Sequence, residues 1–143
     1  MRISDVLTSK PGHQVITIGP DATVRELLGL LAEHNVGAVV VSADGEAVDG
    51  IVSERDIVRR LAESDAVLDG AVSVIMTSDV HTCAPDVPVD DLRALMTERR
   101  IRHVPVVTDG KLVGIISIGD VVKSSIGQLE FERDQLDSYL HQT

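Results

Sequence analysis

Val24, Leu27, Leu28 and Leu31 recur at i, i+3, i+4 and i+7, a spacing that lays one apolar stripe along a helix. Thr23 stands three residues before Glu26, the spacing of a capping box, so the helix is expected to start there. The period then changes. Val36 to Val41 is a β-branched run and Val48 to Val52 another, with the turn signal Asp44-Gly45 between them. Ile57, Val58 and Leu61 return to helical spacing. The same order follows a second time: Val89, Leu92 and Met96 predict a helix, Val104 to Val107 and Leu112 to Ile116 two strands about Asp109-Gly110, and a helix is expected from Asp120. Beyond Ser124, the residues Ile126, Leu129, Phe131, Leu136 and Leu140 predict one further helix with an imperfect stripe, which has no counterpart earlier in the chain.

The two stretches are copies. Thr17, Pro20, Asp21, Val24, Leu27 and Leu31 align with Thr82, Pro85, Asp86, Val89, Leu92 and Met96, each 65 positions on. Val39, Val41, Asp44 and Gly45 keep that offset to Val104, Val106, Asp109 and Gly110. Gly50-Ile51-Val52-Ser53 with Asp56 then matches Gly114-Ile115-Ile116-Ser117 with Asp120 at 64, one residue having been lost. Upstream, Leu7-Thr8-Ser9 matches Met76-Thr77-Ser78 at 69, so the first copy carries four extra residues around Lys10-Pro11-Gly12-His13. Each copy reads as a short leading strand, helix, strand, turn, strand and helix. This is an α/β unit, a small three-stranded sheet with two helices, which leaves apolar surface uncovered unless the copies pack together. The expected architecture is a pseudo-twofold pair, residues 1–70 and 71–125, followed by a C-terminal helix over 126–143.

Composition narrows what such a pair can do. At 143 residues there is room for two small units and for no large catalytic architecture. Phe131 and Tyr139 make up the 1% aromatic content, so the core is aliphatic and a stacking platform for single-stranded nucleic acid is excluded. Thirteen Lys and Arg against 23 Asp and Glu give a formal charge of −10, which disfavours nucleic acid and anionic membrane as partners. Cys83 is the single cysteine and can form no internal disulfide. It follows Thr82 on an aliphatic stretch and reads as a small buried hydrophobe. The N-terminus lacks the apolar run of a secretion signal, and a cytoplasmic location is expected. The five histidines show no metal-ligand spacing, so no metal is assigned.

The segments Gly50-Ile51-Val52-Ser53-Glu54-Arg55-Asp56 and Gly114-Ile115-Ile116-Ser117-Ile118-Gly119-Asp120, with Arg102-His103-Val104-Pro105-Val106 ahead of Asp109-Gly110, resemble the CBS-domain family, named after cystathionine beta-synthase. The resemblance spans about residues 1 to 125. It implies a disc-like pair of domains, dimerisation of such pairs, and clefts that take adenosine-containing ligands such as AMP, ADP, ATP, S-adenosylmethionine or NAD. It also implies a sensing role, coupled to a protein target that the sequence does not identify.

Ser53 with Asp56, and Ser117 with Asp120, are spaced as reciprocal helix caps that need no ligand. A helix N-terminus with a carboxylate in its first turn also suits a phosphate and a ribose, and the resemblance implies that role for these four residues. It implies ligand contacts at Thr17 and Thr82 on the leading strands, where Val15-Ile16 and Val80-His81 would read an adenine edge. Val36, Ala38, Val39, Ile101, Val104 and Pro105 are the expected walls. Arg55 offers a phosphate-pairing fork where the second copy has Gly119, and Arg102-His103 stand where the first copy has Gly37-Ala38. The two clefts should therefore differ, one attracting anions strongly. Arg99 and Arg100 read as solvated surface. A nucleophilic set of Ser53, His103 and Asp56 lacks the elbow motif that such chemistry uses. Three functions stay open: a non-catalytic adenine-nucleotide sensor acting by linkage, a scaffold with unused clefts, and an enzyme turning over a nucleotide, in that order.

Overall fold

The computed structural model describes residues 1–10 and 15–141. The extra residues Pro11, Gly12 and His13 of the first copy lie outside them. The first unit contains β1 (Thr17–Ile18), α2 (Val24–His34), β2 (Ala38–Val41), β3 (Gly50–Ser53) and α3 (Glu54–Leu61), preceded by α1 (Ile3–Ser9). A 3₁₀ turn at Asp65–Asp69 and the short α4 (Val72–Ile75) lead into the second unit, α5 (Val89–Arg99), β4 (His103–Thr108), β5 (Lys111–Ser117) and α6 (Ile118–Leu140). In the first sheet β1 pairs parallel with β2 and β2 antiparallel with β3. In the second, β4 and β5 form the hairpin, and the expected leading strand shrinks to one parallel bridge, Cys83 with Val106.

Local chemistry explains most element boundaries. Thr23 Oγ1 accepts the Glu26 amide at 3.1 Å while Glu26 Oε2 accepts the Thr23 amide at 3.0 Å, closing the expected capping box of α2. Asp109 and Gly110 both adopt positive φ, 51° and 78°, the requirement of the tight turn that joins β4 to β5. The first hairpin is looser. Asp44 Oδ1 accepts the amides of Glu46 and Ala47 at 2.9 Å each, and these bonds hold its carboxyl below the usual range.

Each unit has its own aliphatic core, but each core is completed by the other copy's leading helix. Ile3 and Val6 of α1 are buried among Val89, Leu92, Met96, Val104, Val106, Ile116 and Val121 of the second unit. Val72 and Ile75 of α4 are buried among Val24, Leu27, Leu31, Val39, Val41, Val52 and Ile57 of the first. The division of the chain at residues 70 and 71 is thus a division of sequence, across which the cores exchange helices. The exchange is reciprocal in its hydrogen bonds. Ile3 N donates to Val87 O, Ser4 N to Pro85 O and Val89 N to Met1 O; the repeat counterparts are Val72 N to Ala22 O, Ser73 N to Pro20 O and Val24 N to Gly70 O, all six between 2.8 and 3.0 Å. Equivalent bonds in both halves are what a twofold relation requires.

The exchanged helices also sit against the glycines that open the two strand-to-helix motifs. A Cβ on Gly50 would lie 2.6 Å from Met76 Sδ and 3.0 Å from Thr77 O, and one on Gly114 would lie 2.6 Å from Leu7 Cδ2. Leu7 and Met76 are repeat partners, as are the glycines.

The expected C-terminal helix is not separate. One 23-residue helix, α6, runs from Ile118 to Leu140, about 34 Å by helical rise. Only its first turns pack, through Val121. Farther along, Val122, Ile126, Leu129, Leu136 and Leu140 are exposed, Leu129 at 64%. They follow alternating steps of four and three, interrupted by Arg133, the spacing of a seam that another helix could cover.

The two glycines make a graded prediction. Gly50→Ala presses on backbone at Thr77 and should lower stability by about 1–3 kcal/mol, whereas Gly114→Ala meets only the flexible end of Leu7 and should cost less. Urea unfolding of both variants measures the difference; a larger loss at Gly114 contradicts this packing.

Candidate nucleotide-binding clefts

Strand ends and helix starts meet between the two units. Gly37 O accepts the first amide of α3, Glu54 N, at 2.9 Å, and Arg102 O accepts the first amide of α6, Ile118 N, at 2.8 Å. The residues just before β2 and β4 thereby lie beside the N-termini of α3 and α6. At both junctions the cap is formed. Asp56 Oδ2 accepts the Ser53 amide at 2.8 Å, and Asp120 Oδ2 accepts the Ser117 amide at 2.9 Å. Each cap uses Oδ2, so capping and ligand contact are compatible roles for one carboxyl group.

The first junction opens into a cleft of about 670 Å³. Ser53, Arg55 and Asp56 line it from α3 and its cap, and Gly37 and Ala38 from the start of β2. Arg102 and His103 reach it from the second unit. A Cβ at position 37 would lie in ordinary contact with the Glu54 carboxylate, 3.4 Å away, and the His103 ring, 3.8 Å away, so both side chains stand beside Gly37. Burial, the largest influence, pulls the His103 pKa below its ordinary value, outweighing the nearby carboxylates of Asp120 and Glu54. Near neutral pH this imidazole is uncharged, and the cleft's positive charge comes from arginine.

The walls differ from those expected. Val39 and Val104 point into the two cores, because alternate residues of a strand face opposite ways. Val36 packs against the first core, whereas Ala38 and Ile101 line the cleft as expected, joined by Ile51, Val58 and Thr77. Arg59 and Arg100 also line the cleft, although Arg100 reads in the sequence as surface. Its position one residue past the last turn of α5 could have pointed to it.

The remaining predicted residues lie elsewhere. Thr17 is in β1, paired with Val40, and Pro105 is in β4, its carbonyl accepting the Cys83 amide at 3.0 Å. His81 and Thr82 precede that bridge. None of these four is among the residues lining the first cleft. Burial pushes the Cys83 thiol up to about 11, so it is protonated and unreactive near neutral pH.

Ser117 and Asp120 belong to the second junction, where symmetry breaks. In the first unit Thr77 pairs through its backbone with Ile51, 2.9 Å in both directions. In the second, the Lys10 ammonium takes the corresponding carbonyl, Ile115 O, at 2.9 Å and also Asp120 Oδ2 at 2.9 Å. Burial tends to raise the Asp120 pKa, but the bonds from Lys10 and Ser117 together hold it below the ordinary value. The four-residue difference between the copies follows directly after Ser9, and the lysine it brings lies on the carboxylate that the repeat places opposite Asp56.

With this geometry in hand, comparison identifies the class. The CBS-domain family model matches residues 3–63 and 72–127, and the chain belongs to that family as a tandem pair. It is 36% identical over 146 residues to a mitochondrial CBS domain-containing protein, CBSX3, of Arabidopsis thaliana, covering 96% of this chain and 71% of that protein. Its fold matches a CBS-domain protein of Agrobacterium tumefaciens with a TM-score of 0.82 and 47% identity, over 87% and 99% of the two chains. It also matches a Pyrobaculum aerophilum CBS domain protein complexed with AMP, with a TM-score of 0.73 and 35% identity, over 84% and 89%.

The lysine contact predicts a pH signature. Lys10→Met should lower stability by about 1 kcal/mol near neutral pH, since both partners are largely shielded from water. Because the native Asp120 pKa is depressed, this contribution is present above 3.8 and disappears as pH falls through the native value. Thermal melts of both proteins should converge in acid; a constant gap at every pH contradicts the contact.

Proposed function

We propose that this protein is a non-catalytic regulatory module that binds an adenosine-containing nucleotide in its first cleft and thereby changes its contacts with a partner. The observation that carries this reading is the convergence of Asp56, Arg55 and Arg102 on one cleft that also has apolar lining from Ala38, Ile51, Val58 and Ile101. The second oxygen of Asp56 would accept ribose hydroxyls while Oδ2 keeps the cap. Arg55 and Arg102 would pair with phosphate, and Ala38, Ile51 and Ile101 would flank the base. The AMP complex of the related Pyrobaculum protein supports the ligand class. Regulation follows by linkage: a ligand spanning α3 and the start of β4 favours one arrangement of the two units and shifts its population.

A homodimer belongs to the same proposal. The uncovered seam along α6 is the surface it would use, and dimer contacts are where a shift between the units could be transmitted. Among the described residues no helix is long and apolar enough to cross a membrane.

Two measurements test this function. A thermal-shift panel of adenosine, AMP, ADP, ATP, NAD and S-adenosylmethionine should show ligand-dependent stabilisation. Asp56→Asn should weaken the binding by about 1.5–3 kcal/mol, while Asp120→Asn changes it little. No stabilisation by any of them would leave a scaffold with unused clefts. For the dimer, light scattering should give twice 15.3 kDa, falling to the monomer value when residues 126–143 are removed; an unchanged mass would exclude the α6 seam.

A further inference from the structure

Beside the first cleft lies a second cavity of about 500 Å³, and Arg55, Arg100 and Arg102 line both. They form a shared wall. Beyond it the second cavity is lined by Thr97 and by the apolar Met96 and Ile118. Glu54 and Asp56 face the first cleft, but no carboxylate is among the residues lining the second. In a chain of net charge −10 this concentration of guanidinium is unusual, and none of the three arginines is in an ion pair among the described residues.

Arg100 adds an independent observation. It terminates α5 in the left-handed conformation, φ 55° and ψ 41°. The repeat equivalent Asn35 ends α2 in the same conformation, φ 52° and ψ 48°. Asparagine tolerates that geometry, whereas for arginine it is costly by about 1 kcal/mol. The second unit thus holds a strained cation where its copy has a residue suited to the backbone. Such a departure marks a position shaped by something other than stability.

We propose that the preferred ligand carries at least two linked phosphates, with the inner phosphate at the shared arginine wall and the outer one in the second cavity. The proposal rests on the nucleotide reading of the first cleft. The shared chemistry is a pyrophosphate, whether it ends a nucleoside polyphosphate or joins two nucleosides. Guanidinium forks pair with phosphate oxygens in parallel bonds, and each added phosphate gains from a wall already assembled.

Thr97→Glu places a carboxylate in the second cavity only. Thr97 is exposed on α5 and glutamate is the better helix former, so the fold should hold. Arg100→Asn installs the residue of the other repeat and should leave thermal stability equal or higher. Calorimetry with adenosine, AMP, ADP, ATP and NAD gives the readout. The native protein should bind ADP or NAD roughly tenfold or more tighter than AMP; Thr97→Glu should bring that ratio towards one while AMP affinity moves by no more than about twofold, and Arg100→Asn, which removes a guanidinium from the wall itself, should weaken AMP and weaken ADP more, leaving adenosine unchanged. ADP without NAD would identify a nucleoside polyphosphate, and NAD alone a dinucleotide. Equal native affinities for AMP, ADP and NAD, or equal losses for AMP and ADP in Thr97→Glu, would overturn the inference and leave the nucleotide function standing. Failure of AMP and adenosine together with all the others would overturn both.

Discussion

The structure depends on the exchange of two short helices. Neither copy can close its own core: the second needs Ile3 and Val6 of α1, and the first needs Val72 and Ile75 of α4. Neither helix is long enough to persist alone in water, so each exists only where the other unit receives it. The six matching backbone bonds fix the direction of approach, and Gly50 and Gly114 fix its closeness. One consequence is mechanical. A displacement of either unit is felt in both cores.

The same geometry creates the clefts. A strand that runs directly into a capped helix leaves the helix start, its serine and its carboxyl group at the boundary between units. Twofold repetition makes two such places, and substitution makes them different. Arg55 against Gly119, and Lys10 against the Thr77 backbone, separate a cationic, open first cleft from a second whose carboxyl group already holds an ammonium. Burial keeps His103 neutral, so its contribution to the first cleft is a hydrogen-bonding ring while arginine supplies the charge.

Much of this was legible in the sequence. The repeat offset, the helical stripes, the Thr23–Glu26 box and the Asp109-Gly110 turn all specify local geometry through neighbouring residues, and the structure realises them. The serine–aspartate caps were equally readable, and with them the place of the first cleft. What depended on distant contacts was not. Helices of seven and four residues carry too little periodicity to reveal which core they enter. Val39 and Val104 looked like cleft walls because a short apolar run does not tell which alternate residues face inward. The continuity of α6 past Ser124 was hidden by its change from a packed to an exposed surface. Arg100 looked like solvated charge, since only its left-handed backbone and the cavity beside it set it apart from Arg99. Lys10 lay in a segment recognised as extra, with nothing in the sequence to connect it to Asp120, 110 residues on.

The central claim is that one fold, repeated, presents one open nucleotide cleft and one occupied by its own chain. Calorimetric stoichiometry measures this most directly. Titration of the native protein with AMP near neutral pH should saturate at one nucleotide per chain, with the affinity of that site weakened by change at Asp56 and retained on change at Asp120. Two equivalent sites per chain, or a single site that depends on Asp120, would contradict the account.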